Sequence, residues 1–270
     1  MGANRRIVFH RIQELHAGGL AQLTLALTVG GRRVVVRELQ PANLLRWRIR
    51  KGFINGTRIR EQLSDHPNIV SQLERGRRGL VPYEIIEFID GPNLKRFMQT
   101  DAERTRALVF DILRQAALAM AHVHQKGFVH LDIKPENFMV IDRPDGIDLK
   151  LTDFDLSTDA KVRQIRRQGG TRAYMPPEMI LGGVIGPRAD VFAFGVMAYT
   201  LLAGRMPFEG KNEKQMRWRQ TSESYTLKSP RTVNPEVAEK VDAVIMACLE
   251  KRPENRIPDM AILCREMGWM

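Results

Sequence analysis

Acidic, amine and amide side chains lie close together in sequence near the middle of the chain. Residues 130–137 contain Asp132, Lys134 and Asn137, and after 15 further residues the triplet 153–155 reads Asp-Phe-Asp. A carboxylate can accept a proton from a hydroxyl, an ammonium can neutralise a phosphate, and Mg²⁺ prefers oxygen ligands. These residue types are the ones that phosphoryl transfer requires. Taken alone, the run also fits a surface loop with an Asx turn and solvated charges.

Three further segments follow in order. Residues 169–178 read GGTRAYMPPE, residues 190–196 read DVFAFGV, and Arg256 lies near the end of the chain. Together with residues 130–137 and 153–155, they resemble the catalytic loop, metal-binding motif, activation segment and buried helix of the eukaryotic-type protein kinases. The sequence Lys-Pro-Glu-Asn in the first segment resembles the serine/threonine branch of that family.

The resemblance implies a role for four side chains in transferring the γ-phosphate of ATP to a Ser or Thr hydroxyl of a protein substrate. Asp132 would orient the hydroxyl and accept its proton, and Lys134 would steady the γ-phosphate. Asn137 and Asp153 would bind Mg²⁺. By the same resemblance, Asp190 would accept hydrogen bonds from the backbone of the catalytic loop.

Other expectations concern the activation segment and its neighbours. Arg256 is expected to pair with Glu178. Leu131 replaces the Arg that commonly receives an activation-segment phosphate in the family, so activation through that contact is not expected. Asp155 replaces the Gly of the metal-binding motif. It could ligate a second cation or repel nucleotide, and the sequence leaves both open.

The N-terminal matches to the family depart from its pattern. Residues 34–37 resemble the strand whose Lys holds the α- and β-phosphates, but Arg37 replaces that Lys and Val35 replaces a small residue over the adenine. Residues 16–23 take the place of the glycine-rich flap over the phosphates, and only the middle glycine, Gly18, remains. Nucleotide binding is therefore expected to be weakened.

The resemblance also indicates an adenine site. Leu23, Val35 and Met139 would sandwich the ring, although core packing explains these apolar residues equally well. Glu87 and Ile89 would belong to the hinge that hydrogen-bonds adenine through its backbone.

The family places a Glu on the N-lobe helix to pair with the strand cation. Gly56 and Thr57 stand at that position, and no acid occurs in residues 41–60. Either Glu61 reaches Arg37 through a shifted helix, or the family's usual ion pair is absent.

Two functions follow from this contrast. The C-terminal matches retain the residues nearest the transferred phosphate, which favours an active serine/threonine kinase that uses ATP and Mg²⁺, with weak or atypical activity. The altered N-terminal matches favour a pseudokinase, a binding or allosteric module that keeps the fold. The active kinase is the preferred prediction.

The net charge of +11 is concentrated at the N-terminal end of the chain. Residues 1–80 carry 15 Lys and Arg against 5 Asp and Glu. The helix predicted there has a basic face that is either solvated or docks an acidic partner, formed by Arg46, Arg48, Arg50, Lys51, Arg58 and Arg60. Nucleic acid is not expected as a partner, because no zinc-finger, aromatic RNA-binding or basic-zipper pattern accompanies the charge.

The hydrophobic and turn patterns predict an α+β fold with a small β-rich N-lobe and a larger, mainly helical C-lobe. A hairpin is expected over residues 21–40 around Gly30-Gly31, with further strands at residues 69–73 and 81–88. Asn43 is expected to cap a helix that reaches Leu63 and is weakened by two glycines. A single helix is expected over residues 102–125.

The chain of 270 residues is 43% hydrophobic and 27% charged, which excludes collagenous and disordered classes. We expect one kinase-like domain over residues 1–270, with the N-lobe at 1–88 and the C-lobe at 89–270. No apolar stretch reaches the roughly 18 residues of a membrane span, and a cytoplasmic location is expected.

The remaining conspicuous residues are expected to be structural. Cys248 and Cys264 lack the paired spacing of a zinc site and are expected to be core thiols. Trp47, Trp218 and Trp269 stand outside the motifs and are expected to anchor packing.

Overall fold

The N-terminal part of the molecule is an antiparallel sheet with one helix, and the C-terminal part is mainly helical. The computed structural model describes residues 7–18, 20–64, 66–161 and 171–270. The architecture is therefore the α+β arrangement of two lobes that the sequence predicted.

Five strands form the N-terminal sheet in the order β1-β2-β3-β5-β4. They are β1 (Phe9–Gly18), β2 (Ala21–Thr28), β3 (Arg33–Leu39), β4 (Gln72–Arg78) and β5 (Val81–Glu87). Strand β3 is central, and its Arg37 lies opposite Leu23 of β2 and Glu84 of β5. This register places an arginine and a glutamate side by side in the interior of the sheet.

The predicted hairpin between β2 and β3 is confirmed. Gly31 in its turn has a φ of 77°, which is the left-handed region that favours glycine. Strand β1 was not predicted, because polar, exposed side chains dominate it and give no apolar alternation. Strand β4 begins at Gln72, later than expected, and Ile69 instead forms a single bridge with Leu151.

Helix α1 (Trp47–Leu63) packs against the sheet without interruption at its glycines. Asn43 does not cap it, because the Asn43 amide donates to the Leu20 carbonyl and Arg46 occupies the N-cap position. The expectation that the two glycines only weaken the helix missed a packing role of Gly56. A Cβ atom at Gly56 would lie 2.7 Å from the carbonyl oxygen of Phe154. Glycine allows the helix to approach the backbone of the Asp-Phe-Asp triplet.

The C-terminal part contains the other helices that the structure describes. They are α2 (Leu94–Thr100), α3 (Ala102–Ala107), α4 (Val109–Gln125), α5 (Pro177–Leu181), α6 (Pro187–Ala203), α7 (Glu213–Thr221), α8 (Pro230–Val233), α9 (Glu239–Cys248) and α10 (Met260–Met267). The single helix expected over residues 102–125 is in fact α3 and α4, separated at Leu108. The apolar periodicity that predicted it belongs to α4, since Thr105 is the one buried residue of α3.

Two short strand pairs complete the described structure. They are β6 (Phe128–Val129) with β9 (Thr158–Asp159), and β7 (Phe138–Arg143) with β8 (Gly146–Leu151). Strands β7 and β8 form an antiparallel hairpin. The catalytic-loop segment lies between β6 and β7, and the Asp-Phe-Asp triplet follows β8.

The main hydrophobic core lies in the C-terminal part, where α4, α6, α9 and α10 pack together. All residues of α6 from 189 to 199 are buried, which confirms the buried helix expected from the resemblance. Both cysteines are buried free thiols, as predicted. Trp269 packs against this core, and Trp218, which is 50% exposed, contacts the Tyr225 ring with centroids 6.0 Å apart. Trp47 is 64% exposed, so the prediction of a packing anchor is wrong for Trp47.

No helix in residues 7–18, 20–64, 66–161 or 171–270 combines the length and apolar character that crossing a membrane requires.

Candidate active site

Asp190 of α6 fixes the backbone of the catalytic-loop segment. Its two carboxylate oxygens each accept a 2.7 Å hydrogen bond, from the N–H of His130 and the N–H of Leu131. A third contact comes from His124 Nε2 at 3.0 Å. These bonds hold Leu131 at a φ of 65°, a conformation that non-glycine residues rarely adopt. The predicted role of Asp190 is confirmed.

Two of the predicted site residues, Lys134 and Asn137, donate to one carboxylate oxygen of a third, Asp132. Lys134 Nζ donates to Asp132 Oδ2 at 2.7 Å, and Asn137 Nδ2 donates to the same oxygen at 2.9 Å. Asn137 Nδ2 also donates to the Asp132 carbonyl at 2.7 Å. Asp132 is 8% exposed, so these donors hold its carboxylate in one orientation at the cleft surface.

Asp153 lies next to this group. The Thr152 N–H donates to the Asn137 carbonyl at 2.8 Å, which joins the two segments through their backbones. Asp153 has a φ of 60°, and its side chain is 43% exposed. Although desolvation opposes ionisation, the positive charges of Arg37 and Arg60 hold the pKa of Asp153 below its usual range. The carboxylate is therefore ionised at neutral pH, as a metal ligand must be.

His130 and Phe154 connect the loop to helix α1. Their rings meet edge to face with centroids 4.9 Å apart, and the guanidinium of Arg60 lies 5.0 Å from the Phe154 ring. Burial lowers the pKa of His130, and its Nε2 lies 3.1 Å from the Thr152 carbonyl, which can only accept a hydrogen bond. His130 is therefore a neutral packing residue.

Arg37 has two buried acidic partners, and neither lies on α1. The family's usual ion pair with a helix acid is therefore absent, which was the second of the two alternatives drawn from the sequence. Arg37 Nη1 binds Glu84 Oε1, and its Nη2 donates to Asp155 Oδ2 at 2.9 Å. Glu61, the acid that a shifted helix would have brought to Arg37, instead pairs with Arg75 at 2.8 Å on the surface. The ion pair with the strand cation thus exists, but β5 supplies its acid.

Asp155 is buried, and its Oδ2 is paired with Arg37. Burial raises the pKa of Asp155 to about 6, and the charges of Asp153 and Glu84 add to this increase while Arg37 opposes it. Arg37 Nη2 also lies 4.0 Å from Asp153 Oδ1. Despite its burial, Arg37 has its pKa raised, because Asp155 and Glu84 favour the charged form.

Sequence reasoning missed Glu84 and assigned Arg60 incorrectly. Arg60 is 1% exposed, and its Nε lies 3.2 Å from Glu84 Oε2, so it does not belong to the exposed basic face. The available signal was the strand sequence VPYEIIE, in which Glu84 is the one charged residue of the central run. An acid at an interior strand position requires a buried partner.

The predicted adenine residues lie together. Leu23, Val35 and Met139 belong to one apolar cluster with Ile86 and Ile89. The carboxylate of Glu87 accepts a 2.7 Å hydrogen bond from Lys150 Nζ and another of the same length from the Ser71 N–H. These contacts fix the start of the hinge segment.

Two predicted segments are described only in part. Gly18 ends β1 opposite Ala21, and Gly19 of the predicted flap lies outside the described residues. Gly169 and Gly170 of the activation-segment match also lie outside them. Beyond these, Arg256 binds both carboxylate oxygens of Glu178, at 2.7 and 2.8 Å, which confirms the predicted pair.

The oxygen atoms of Asp153 and Asn137 suit Mg²⁺ as ligands. Within the described residues no group of three His, Cys, Asp or Glu side chains could hold a metal ion by itself. Asp153 and the amide oxygen of Asn137 supply two oxygens, and Mg²⁺ characteristically takes one or two protein ligands and completes its shell with water and substrate phosphates. The residues present therefore fit a magnesium ion that arrives with a nucleotide.

Three bacterial kinases illustrate the similarity to known proteins. Serine/threonine-protein kinase PrkC of Bacillus subtilis is 31% identical over 195 residues, covering 71% of this chain and 29% of that protein. Serine/threonine-protein kinase PknB of Mycolicibacterium smegmatis is 29% identical over 253 residues, covering 88% and 39%. Serine/threonine-protein kinase Pkn1 of Myxococcus xanthus is 30% identical over 266 residues, covering 94% and 37%.

The chain thus spans less than half the length of each of these relatives. The family model of the protein kinase domain matches residues 9–267, nearly the whole chain. With the anchored catalytic loop and the Glu178–Arg256 pair, this match shows that the chain belongs to the protein kinase domain family, with relatives of the serine/threonine type.

Proposed function

We propose that this chain transfers the γ-phosphate of ATP to a Ser or Thr hydroxyl of a protein substrate, with Mg²⁺ as cofactor. The observation that carries the proposal is the convergence of Lys134 and Asn137 on Asp132 Oδ2, beside the ionised Asp153. A merely structural loop has no need to hold a lysine, an amide and two carboxylates together at a cleft surface.

In the proposed reaction, the substrate hydroxyl oxygen bonds to the γ-phosphorus, and the bond between that phosphorus and the bridging oxygen of ADP breaks. Asp132 orients the hydroxyl and accepts its proton. Lys134 stabilises the γ-phosphate oxygens, while Asn137 and Asp153 would hold the metal. When bound, Mg²⁺ neutralises charge on the phosphates.

The proposed nucleotide site lies between the sheet and the C-terminal part. Leu23, Val35 and Met139 would enclose the adenine, since they already share one apolar cluster. The backbone of Glu87 and Ile89 would hydrogen-bond its edge. The position of Arg37 beside Asp153 supports phosphate contact by the guanidinium.

The flap over the phosphates would be the turn after β1. Gly18 is the residue that we assign to it, because a glycine there lets backbone N–H groups approach phosphate. The altered neighbours of Gly18 and the replacement of the strand Lys by Arg37 make weak nucleotide binding the expectation.

The test measures radiolabelled phosphate transfer to a generic basic protein together with the thermal stability of the domain. Millimolar ATP with Mg²⁺ should raise the melting temperature, because a ligand that binds the folded state stabilises it. Asp132→Asn should lose transfer but keep the thermal shift, and Asp148→Asn, on the exposed β8 surface, should change neither. Absent transfer by the unaltered chain would favour the pseudokinase.

We also propose an acidic protein partner for the N-lobe. Beside α1 lies a groove of about 620 Å³ whose lining includes Leu45, which is 97% exposed, and Trp47. Its basic lining residues are Arg50, Lys51, Arg58 and Arg77. Since no acidic side chain is among the described residues that line it, the groove fits an acidic segment that carries an apolar side chain.

A fluorescent Glu-rich peptide containing one Phe is a direct probe of this groove. Arg50→Glu combined with Trp47→Ala should weaken its binding by about tenfold or more. Arg32→Glu, on the distant β2–β3 turn, makes the same charge change and should leave the affinity unchanged. Equal loss in both variants would show only non-specific attraction to the basic N-lobe.

We further assign the domain to the cytoplasm. The buried thiols of Cys248 and Cys264 remain unpaired, which suits a reducing compartment where ATP is available. The same proposal keeps residues 1–88 as the N-lobe and residues 89–270 as the C-lobe. No nucleic-acid partner is proposed, since the basic groove contains an exposed apolar centre that suits protein.

A further inference from the structure

Glu84 is an ionised side chain with no exposed surface. It lies on β5 directly opposite Arg37 on β3, and its Oε1 binds Arg37 Nη1. Its other oxygen, Oε2, accepts a 2.6 Å hydrogen bond from Gln72 Nε2 and lies 3.2 Å from Arg60 Nε. Both carboxylate oxygens are therefore held, and neither can rotate without breaking a buried contact.

Helix α1 could not supply this acid in its present position. A Cβ at Gly56 would lie 2.7 Å from the carbonyl oxygen and 2.9 Å from the carbonyl carbon of Phe154. These are backbone atoms, so a Glu at position 56 would force the helix away from the Asp-Phe-Asp triplet. One turn further on, α1 presents Arg60 instead, and the acid comes from the sheet.

Compared with the family pattern, in which the helix carries the acid, α1 here carries the basic Arg60 and β5 carries the acidic Glu84. Arg60 neutralises the side of Glu84 that faces the helix, which leaves the other oxygen to bind Arg37. A fixed acid on the neighbouring strand limits the rotamers of Arg37 and directs Nη2 towards Asp155 and Asp153. The backbone pairing of β3 with β5 sets the distance between Glu84 and Arg37.

We infer that Glu84 is the positioning residue for Arg37, holding its guanidinium where the phosphates of ATP bind. The inference rests on the proposed function, since it assigns Glu84 a role in nucleotide binding by that same site. Glu84 itself touches no substrate. Its effect is therefore expected in the KM for ATP, with kcat much less affected.

The experiment compares Glu84→Gln with Glu61→Gln in steady-state phosphate transfer. Glu84→Gln should raise the KM for ATP by about tenfold to a hundredfold, as expected for a misplaced phosphate contact. Glu61→Gln removes the acid of an exposed pair with Arg75 and should change KM by less than about twofold. Each variant is also measured in an Arg37→Met background, where Glu84→Gln should add less than about a further twofold if Glu84 acts through Arg37.

Glu84→Gln leaves two buried arginines without their shared carboxylate, so this variant could misfold. Glu84→Asp is therefore measured as a second variant. The Asp variant keeps the charge and withdraws the carboxylate by one methylene, so it should fold and still raise the KM for ATP. If the unaltered chain transfers phosphate but both Glu84 variants have an unchanged KM for ATP, the inference is overturned and the proposed function is upheld. A Glu84 effect of the same size in the Arg37→Met background would also overturn it, since Glu84 would then act as general support for the fold. If the unaltered chain neither transferred phosphate nor gained stability with ATP, both proposals would fail.

Discussion

The guanidinium of Arg37 and the carboxylate of Asp155 form a buried ion pair, with Nη2 donating to Oδ2 at 2.9 Å. The pair joins strand β3 to the segment that follows β8. It also places a carboxylate beside Asp153, the proposed metal ligand, and engages the cation that would contact phosphate. Asp155 would therefore compete with a bound nucleotide for Arg37.

Replacing Asp155 by the family's glycine should improve nucleotide binding. Asp155→Gly removes the competing carboxylate and leaves Glu84 to hold Arg37. Removing the negative charge of Asp155 from the neighbourhood of the phosphates is expected to favour ATP binding by on the order of 1 kcal/mol, which lowers the KM for ATP by about fivefold. Steady-state kinetics at saturating protein substrate would measure the change. A higher KM would show that Asp155 assists binding, for example by ligating a cation.

The buried Asp155 should also give the stability a defined pH dependence. Its pKa is about 6 in the folded protein and near 3.9 in an unfolded chain. Since the folded state holds the proton more tightly, the stabilising contribution is fully present below about pH 4 and is lost as the pH rises through about 6.

The pH prediction is measured as the difference in the free energy of unfolding between the unaltered chain and Asp155→Asn. Urea denaturation from pH 4 to pH 8 should show this difference falling by about 3 kcal/mol, with little change above pH 7. The Asn variant cannot titrate at this position, so other groups largely cancel. A difference that increases with pH would mean that Arg37 lowers the pKa of Asp155 below its ordinary value.

Gly56→Ala should destabilise the protein, although the same change inside an exposed helix adds up to about 1 kcal/mol of stability. The added methyl meets the Phe154 carbonyl at 2.7 Å, and overpacking of this kind costs about 1–3 kcal/mol. Gly30→Ala is the control, because its Cβ would have no neighbour closer than 4.0 Å. Thermal denaturation measures both variants, and a gain in stability for Gly56→Ala would disprove the close approach of α1.

Two arginines near the C-terminus should differ sharply in their effect on stability. Arg256 pairs with Glu178 with side-chain exposures of 0% and 6%, whereas Arg252 pairs with Glu223 with exposures of 60% and 62%. Arg256→Met leaves a buried carboxylate without its cation and should cost about 3–5 kcal/mol. Arg252→Met should cost less than about 1 kcal/mol. If Arg256→Met lowered the free energy of unfolding in urea as little as Arg252→Met is expected to, the Glu178 pair would not be essential to the folded state.

Much of the catalytic region could be predicted because its residues lie close together in sequence. The contacts of Asp132 with Lys134 and Asn137 span five residues or fewer, so the local loop conformation brings them together. The Glu178–Arg256 pair joins residues 78 positions apart. The sequence alone did not indicate that contact, and its prediction depended on the family resemblance.

The partners of Arg37 could not be predicted in this way. Strand pairing brings Glu84 to Arg37 from 47 residues away, and the packing of the triplet brings Asp155 from 118 residues away. Deviation from the family pattern at Gly56 showed only that an acid was missing from the helix. The replacement lies on another element, so no local pattern could indicate it.

The sequence by itself determined the fold class, the β2–β3 hairpin, much of α1 and α4 and the identity of the groups at the catalytic loop, because hydrophobic periodicity and short-range spacing are local properties of the chain. Only the tertiary structure decided how the buried charges are paired. An ion in the interior must find a partner wherever the packing supplies one, and strand register and helix approach placed Glu84, Arg60 and Asp155 around that arginine.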